Sequence, residues 1–376
     1  MNLFDDPDHA DPEPHDPRPK DGVAPARRRG RGAGRNPAVR YDRVSTERAE
    51  DGWHAEMPPA LRTEVMVDHS RTIIARNSSP DLPFNRSINP YRGCEHGCIY
   101  CFARPSHAQL GLSPGLDFET RLVVKPRAAG LLAAAFAKAS YVPEAIAIGT
   151  NTDPYQPIDV EKGIMRALLE VLWEHRHPLF ITTKGAHIGR DLDILGPMGR
   201  AGLVQIAITI TTLDNRLSRL MEPRAAAPTR RLRAVRALAQ AGIPVQVNTS
   251  PIVPGLNDHE IERLVAAAAE AGARRVTHSV LRLPLEVSGL FQDWLAEHFP
   301  KRAAKVMRQV REMHGGRDYD PAWGKRMAGE GVHARLIDRR VKLACRKAGL
   351  AERLPTLRTD LFRRPERAGD QLCLGL

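Results

Sequence analysis

Cysteine is scarce in this chain, and three of its five copies, Cys94, Cys98 and Cys101, stand within eight residues in the run "RGCEHGCIYC". Thiolates that close together favour soft metals. The spacing Cys94-x3-Cys98-x2-Cys101 supplies three of them and no fourth nearby. Three readings compete. A zinc site would recruit His96, although structural zinc usually draws its ligands as two separated pairs. Cysteines buried for packing would suit a core, which a glycine-rich loop fits poorly. An iron–sulfur cluster prefers thiolates, and a complete 4Fe–4S set takes four of them. Three would leave one iron with an open position, able to bind and reduce something. Cys345 and Cys373 lie far along the chain, in a basic segment and in the C-terminal tail. Cys373 is a poor candidate for a ligand, and an auxiliary role for Cys345 stays open.

The elements that must position this loop read as an α/β repeat. Apolar runs of strand length, "SINPYR", "AIAIGT" (145–150), "LFITTK" (179–184), "LVQIAITIT" (203–211), "IPVQVNTS" (243–250) and "RRVTHSVL" (274–281), alternate with helical segments. "ETRLVVK" (119–125) adds a short strand, and Asn257 or Asp258 is placed to cap the helix after 257. Nearly continuous apolar strands separated by helices predict parallel βαβ units covered by helices. Periodicity fits an open doubly wound sheet and a partial (β/α) barrel equally. In both, ligands sit at the C-terminal ends of the strands.

Five regions are expected: a disordered Pro/Arg/Gly-rich tail (1–50), a transitional segment (51–85), the α/β unit (86–295), a basic helical region (296–362) and a flexible tail (363–376). Within the first, "RRRGRGAGR" is either an Arg/Gly nucleic-acid-binding tail or a solubilising linker, the latter slightly preferred. The formal net charge is +12, and residues 296–376 carry nineteen Lys/Arg against ten acids. A local excess of that size is a footprint for polyanions or simply a solvated helical surface. The acidic N-terminus has no apolar signal segment, and no apolar run reaches membrane length. With clustered cysteines, this predicts a cytoplasmic protein with no membrane association.

CxxxCxxC with Tyr100 before the last cysteine, placed after the first strand of the repeat, resembles the signature of the radical S-adenosylmethionine (radical SAM) superfamily. The resemblance implies a partial (β/α)6 TIM-like barrel and two cofactors, a 4Fe–4S cluster held by Cys94, Cys98 and Cys101, and SAM chelated by the open iron. It also implies reductive cleavage of SAM to a 5′-deoxyadenosyl radical, an electron from a reductase such as flavodoxin or ferredoxin, and hydrogen abstraction from a substrate. "GTNTDPYQPID" (149–159) looks more narrowly like the spore-photoproduct-lyase-related branch, with Thr152 and Asp153 matching its Ser/Thr-Asp pair. By the same resemblance Tyr100, within the cysteine motif, and Lys184, Thr209, Thr211 and Asn248, at successive strand ends, are cofactor-binding candidates. One departure stands out: Thr150 occupies the position of the lyases' hydrogen-donating cysteine, which puts spore-photoproduct reversal in doubt. Tyr155 or Tyr100 would be the remaining hydrogen relays. Arg92 would lie beside the cluster, or else in an ordinary surface ion pair.

The chain ends "GDQLCLGL", where Gln371, Leu372 and Leu374 resemble a sliding-clamp-docking peptide, with Gly375 in place of its aromatic. The expected function is a radical SAM enzyme acting on nucleic acid, DNA above all, in damage repair. A radical SAM enzyme modifying a protein, peptide or RNA is the first alternative, and a non-catalytic nucleic-acid-binding metal-cluster protein the second.

Overall fold

The computed structural model describes residues 28–41 and 60–365. The clamp-like peptide and Cys373 lie outside those residues.

Among the described residues, ten strands form two sheets. The larger contains β2 (Ala75–Arg76), β3 (Arg86–Ile88), β6 (Ile146–Ile148), β7 (Leu179–Thr183), β8 (Val204–Thr209), β9 (Val245–Ile252) and β10 (Arg275–Val280). Its order is β10-β9-β8-β7-β6-β3-β2, parallel from β3 to β10, with β2 antiparallel at the edge. Six parallel strands in sequential order have no switch point, so the doubly wound alternative is excluded and the sheet is a partial barrel. The side chains of β6 are fully buried, as expected for a strand between helices and barrel interior.

The covering helices form where apolar residues recur at helical spacing. Ile164–Glu174 buries Ile164, Met165, Leu168, Leu169 and Leu172, and fully burying one such side chain contributes about 1.5–3 kcal/mol. Pro228 opens helix Pro228–Gln240, where a missing N–H costs nothing. The expected cap after 257 is not made. The Asn257 amide instead accepts from Val253 N at 2.7 Å and donates to Thr211 O at 2.8 Å, and Asp258 accepts from Gly255 N at 2.9 Å. Both side chains serve the loop, because helix Ile261–Glu270 is entered through a short 3-10 turn.

The expected short strand at 119–125 forms, as β5 (Arg121–Val124), but outside the barrel. It pairs in parallel with β1 (Glu64–Val67) and antiparallel with β4 (Tyr91–Arg92). Helices Glu286–His298 and Pro300–Met313 roof the C-terminal face. Their Phe291, Trp294, Val306 and Val310 share one apolar cluster with Cys98, Ile99 and Tyr100, so the expected border at 296 runs through a continuous core. Helix Gly331–Lys347 covers β10 with Ala334, Ile337 and Val341.

A partial barrel leaves a seam between its two edges, and one loop closes it. Val280 at the end of β10 donates N–H to Met327 O at 3.0 Å. Arg326, next to Met327, reaches across to Asp81 between β2 and β3, with Nε 2.6 Å from Oδ2. Both side chains are largely buried, and breaking such a pair costs about 3–5 kcal/mol because a charge is left uncompensated. Arg326→Ala is therefore expected to lower the denaturant midpoint by an amount equivalent to about 3 kcal/mol. An unchanged midpoint in urea would show that the seam is closed by other contacts.

Candidate active site

The cysteine loop leaves β4 and returns through β5, and the pairs Tyr91↔Val124 and Arg92↔Val123 close its base. Cys94 N extends that ladder by donating to Phe118 O at 2.8 Å. Gly97 has φ +65°, and a Cβ there would lie 2.7 Å from Glu119 Oε2, so conformation and space both require glycine. The Gln156 amide accepts from Glu95 N at 2.8 Å and donates to Gly93 O at 3.3 Å. Ile99 N donates to Met221 O at 3.1 Å, and Arg104 Nε donates to Cys98 O at 3.0 Å.

On this loop Cys94 and Cys98 are buried, Cys101 is half-buried, and all three are free. Burial pushes the Cys98 thiol up to about 12 and holds Cys94 well above the ordinary thiol range. Metal binding would displace those protons and satisfy three enclosed sulfurs together. Among the described residues no three His, Cys, Asp or Glu side chains are grouped as around a single ion. His96, the fourth ligand of the zinc reading, is engaged by Asp153, with Nδ1 3.3 Å from Oδ2. The donor set fits a cluster whose irons each take one thiolate.

Residues 28–41, expected in an unstructured tail, instead form a strap across this loop. Gly32 N and Ala33 N each donate to the Glu119 carboxylate at 2.8 Å, and Arg104 Nη2 lies 2.5 Å from the same group. Glu119 and Arg104 are both fully buried. A Cβ on Gly32 would sit 1.9 Å from Gly97 O, so the strap lies directly on the cysteine loop. Arg28, Arg35 and Arg40 fasten it to Glu297, Asp293 and Glu286 of the roofing helix at 2.6, 2.8 and 2.5 Å. These arginines pair with acids remote in sequence, which is why composition alone read as a tail.

The rim candidates divide into two groups. Lys184, Thr209, Thr211 and Asn248 stand at or just beyond the C-terminal ends of β7 and β8 and midway along β9, with Thr209 and Asn248 in register. The Thr211 hydroxyl is buried and has no hydrogen-bond partner among the described residues. Lys184 Nζ lies 5.7 Å from the Tyr100 ring centroid. Asn248 Oδ1 accepts from Thr277 Oγ1 at 2.8 Å and Gln246 Nε2 at 2.6 Å. Thr152 and Asp153 are engaged within the protein. Thr152 Oγ1 donates to Tyr91 O at 2.7 Å. Asp153 accepts from Tyr155 N, Thr183 Oγ1 and Lys184 N at 2.9, 2.6 and 2.7 Å. Burial alone would raise the Asp153 carboxyl, but His96 and these donors bring it down to about 2. The pair therefore ties the strand ends to the cysteine loop. Arg92 is in an ordinary ion pair with Asp68 at 3.2 Å, its side chain 41% exposed.

Two residues with no role in the sequence reading complete the interior. Glu222 accepts from the Tyr100 hydroxyl and from Arg231, whose Nη1 also donates to Thr209 O at 3.0 Å. Burial opposes the Glu222 charge, but Arg231 and Lys184 outweigh it and hold the carboxyl below its usual range. The signal was present: Arg231 shares the buried face of its helix with Ala234, Val235 and Leu238. A cation on an apolar stripe calls for a buried partner.

The Radical SAM superfamily model matches residues 88–268. An uncharacterized protein of Mycobacterium tuberculosis, Rv2578c, is 35% identical over 253 residues, 67% of this chain and 73% of the relative. An uncharacterized protein of Methanocaldococcus jannaschii, MJ0683, is 27% identical over 173 residues, 46% of this chain and 62% of the relative. Among solved structures, spore photoproduct lyase complexed with dinucleoside spore photoproduct superposes with a TM-score of 0.54 at 17% identity, over 75% of this chain and 78% of that one. The chain belongs to the radical SAM superfamily. It is a radical SAM enzyme, and its cofactors are a 4Fe–4S cluster and SAM. Bound together, those groups supply a 5′-deoxyadenosyl radical for hydrogen abstraction. What the chain itself contributes here is a loop that holds three cysteines together and encloses them beside the polar strand ends.

The strap makes a specific demand on that enclosure. Gly32→Ala is expected to lift it from the cysteine loop and speed loss of iron from the reconstituted protein in air by several-fold, with the far-ultraviolet circular dichroism unchanged. Iron retention equal to wild type would show that the strap does not protect the site.

Proposed function

We propose that Cys94, Cys98 and Cys101 ligate the cluster, that Lys184, Thr209, Thr211 and Asn248 hold SAM, and that the radical acts on nucleic acid, DNA above all, in damage repair. The observation that carries the substrate reading is a basic stripe on helix Pro300–Met313. Lys301, Lys305 and Arg308 are exposed, recur at helical spacing, and make no ion pair among the described residues. Unpaired cations in a row on a helix that roofs the barrel suit a phosphate backbone lying over the mouth. The fold shared with a lyase solved with a dinucleoside photoproduct supports the same substrate class.

Reversal of the spore photoproduct is not part of this reading. Thr150 Oγ1 accepts from Asn89 at 3.3 Å, and a hydroxyl is a poor hydrogen-atom donor beside a thiol. Outside the cysteine loop the described residues hold one thiol, Cys345, which lies on the helix covering β10 and packs against its apolar cluster. The phenols of Tyr100 and Tyr155 both donate to buried carboxylates, Glu222 and Asp191. The electron comes from a reductase, as the family requires. Among the described residues no helix is long and apolar enough to cross a membrane.

Binding of the reconstituted protein to double-stranded DNA is expected to weaken steeply with salt. Replacing Lys301, Lys305 and Arg308 together by Gln should make the log–log slope shallower by about three, one per lost phosphate contact. No binding at low salt would reject the nucleic-acid substrate. Binding of RNA with none of DNA would move the proposal to RNA.

A further inference from the structure

The last barrel strand ends beside polar groups that the fold leaves unsatisfied. Arg282, two residues beyond β10, lays its guanidinium 4.3 Å from the ring centroid of Phe102, the residue after Cys101. Among the described residues it has no carboxylate partner and no hydrogen bond, although burial opposes its charge. The neighbouring cation, Arg326, is already neutralised by Asp81 at 2.6 Å. His314 is 2% exposed and donates Nε2–H to Leu281 O at 2.8 Å. A carbonyl can only accept, so the tautomer is set, and His314 Nδ1 remains a buried acceptor with no donor among the described residues. The Tyr319 ring lies 6.0 Å from His314, and its hydroxyl has no partner among the described residues.

A half-buried guanidinium without a hydrogen-bonded counter-charge is costly, and so is a buried ring nitrogen without a donor. Both costs vanish if a ligand brings an anionic oxygen to one and an O–H or N–H to the other. We propose that Arg282, Tyr319 and His314 form a subsite for a phosphate ester of the substrate, with Arg282 stacked on Phe102 at the seam of the barrel. This rests on the nucleic-acid reading above and names the contact that reading lacks.

The geometry suits the ligand. The contact with the Phe102 ring uses no N–H group, so the guanidinium keeps its donors for bidentate contact with phosphate oxygens. Tyr319 supplies a second donor. His314 Nδ1 would accept from a sugar hydroxyl or a base N–H beside the phosphate. Helix Pro300–Met313 carries the basic stripe and ends at His314, so stripe and subsite belong to one element. All three residues fall outside the matched superfamily segment 88–268, where features particular to this chain's substrate belong.

The test uses anaerobically reconstituted protein and two probes, a short single-stranded thymidylate and the same strand with neutral methylphosphonate linkages. Arg282→Gln is expected to weaken the phosphodiester strand by about tenfold or more, as loss of a bidentate charged contact should. Its affinities for the methylphosphonate strand and for SAM should stay within twofold of wild type. Arg282→Lys keeps the charge without the planar fork and should fall between. Unchanged affinity for the phosphodiester strand overturns the proposal. A loss of SAM affinity matching the loss of strand affinity also overturns it, because Arg282 would then be a cofactor ligand. If the wild-type protein binds neither strand, the nucleic-acid reading fails, and inorganic phosphate decides the subsite. Arg282-dependent phosphate binding would support it for a smaller phosphate ester, and no phosphate binding would remove it. Iron content and circular dichroism of each variant establish that it is folded and loaded.

Discussion

A carboxylate without solvent, Glu119, is the constraint around which the cysteine loop is built. It accepts two backbone N–H groups from the strap and pairs with Arg104, which in turn holds the carbonyls of Cys98, Pro114 and Gly115. A loop rich in glycine and cysteine has little apolar bulk to lock it by packing. Charged hydrogen bonds in a dry environment are the available substitute, since each contributes more there than at a surface. The arrangement is also brittle. Removing either partner leaves a buried charge, so the strap, the loop and the β4–β5 base stand or fall together.

A second buried pair, Glu222 with Arg231, plays the matching part inside the barrel. It anchors Tyr100 from the cysteine loop and the Thr209 carbonyl from β8, linking the loop to the rim proposed to hold SAM. Asp153 closes the third side by joining His96 to Thr183 and Lys184 N. Ion pairs so deep are weak contributors to stability when set against apolar replacements. Their value here is geometric, because each fixes one strand end against the loop that carries the thiols.

The barrel was legible because its strands are apolar runs of β-branched residues at regular intervals, and the place of the candidate site because three cysteines in eight residues have few uses. What could not be read were pairings between remote charges. The strap looks like a tail by composition; it is ordered by Glu119, Asp293, Glu297 and Glu286, none of which local sequence connects to Arg28–Arg40. Thr152 and Asp153 matched a cofactor motif, yet their side chains are spent on backbone and His96, since motif position does not reveal where a side chain turns. β5 had the right pattern and joined the other sheet, because strand propensity specifies no neighbour. Arg282 and His314 carry no local signal at all, and the role proposed for them rests on polar atoms without partners among the described residues.

The central claim is that three thiolates leave a site at which SAM is cleaved. Its most direct test is an anaerobic assay of the reconstituted protein with SAM and dithionite, reading 5′-deoxyadenosine by mass spectrometry for wild type and for Cys94→Ala, Cys98→Ala and Cys101→Ala. Formation by the wild type and its loss in all three variants is the expected result. A cluster-loaded wild type that forms none, or a cysteine variant that forms as much as wild type, would contradict it.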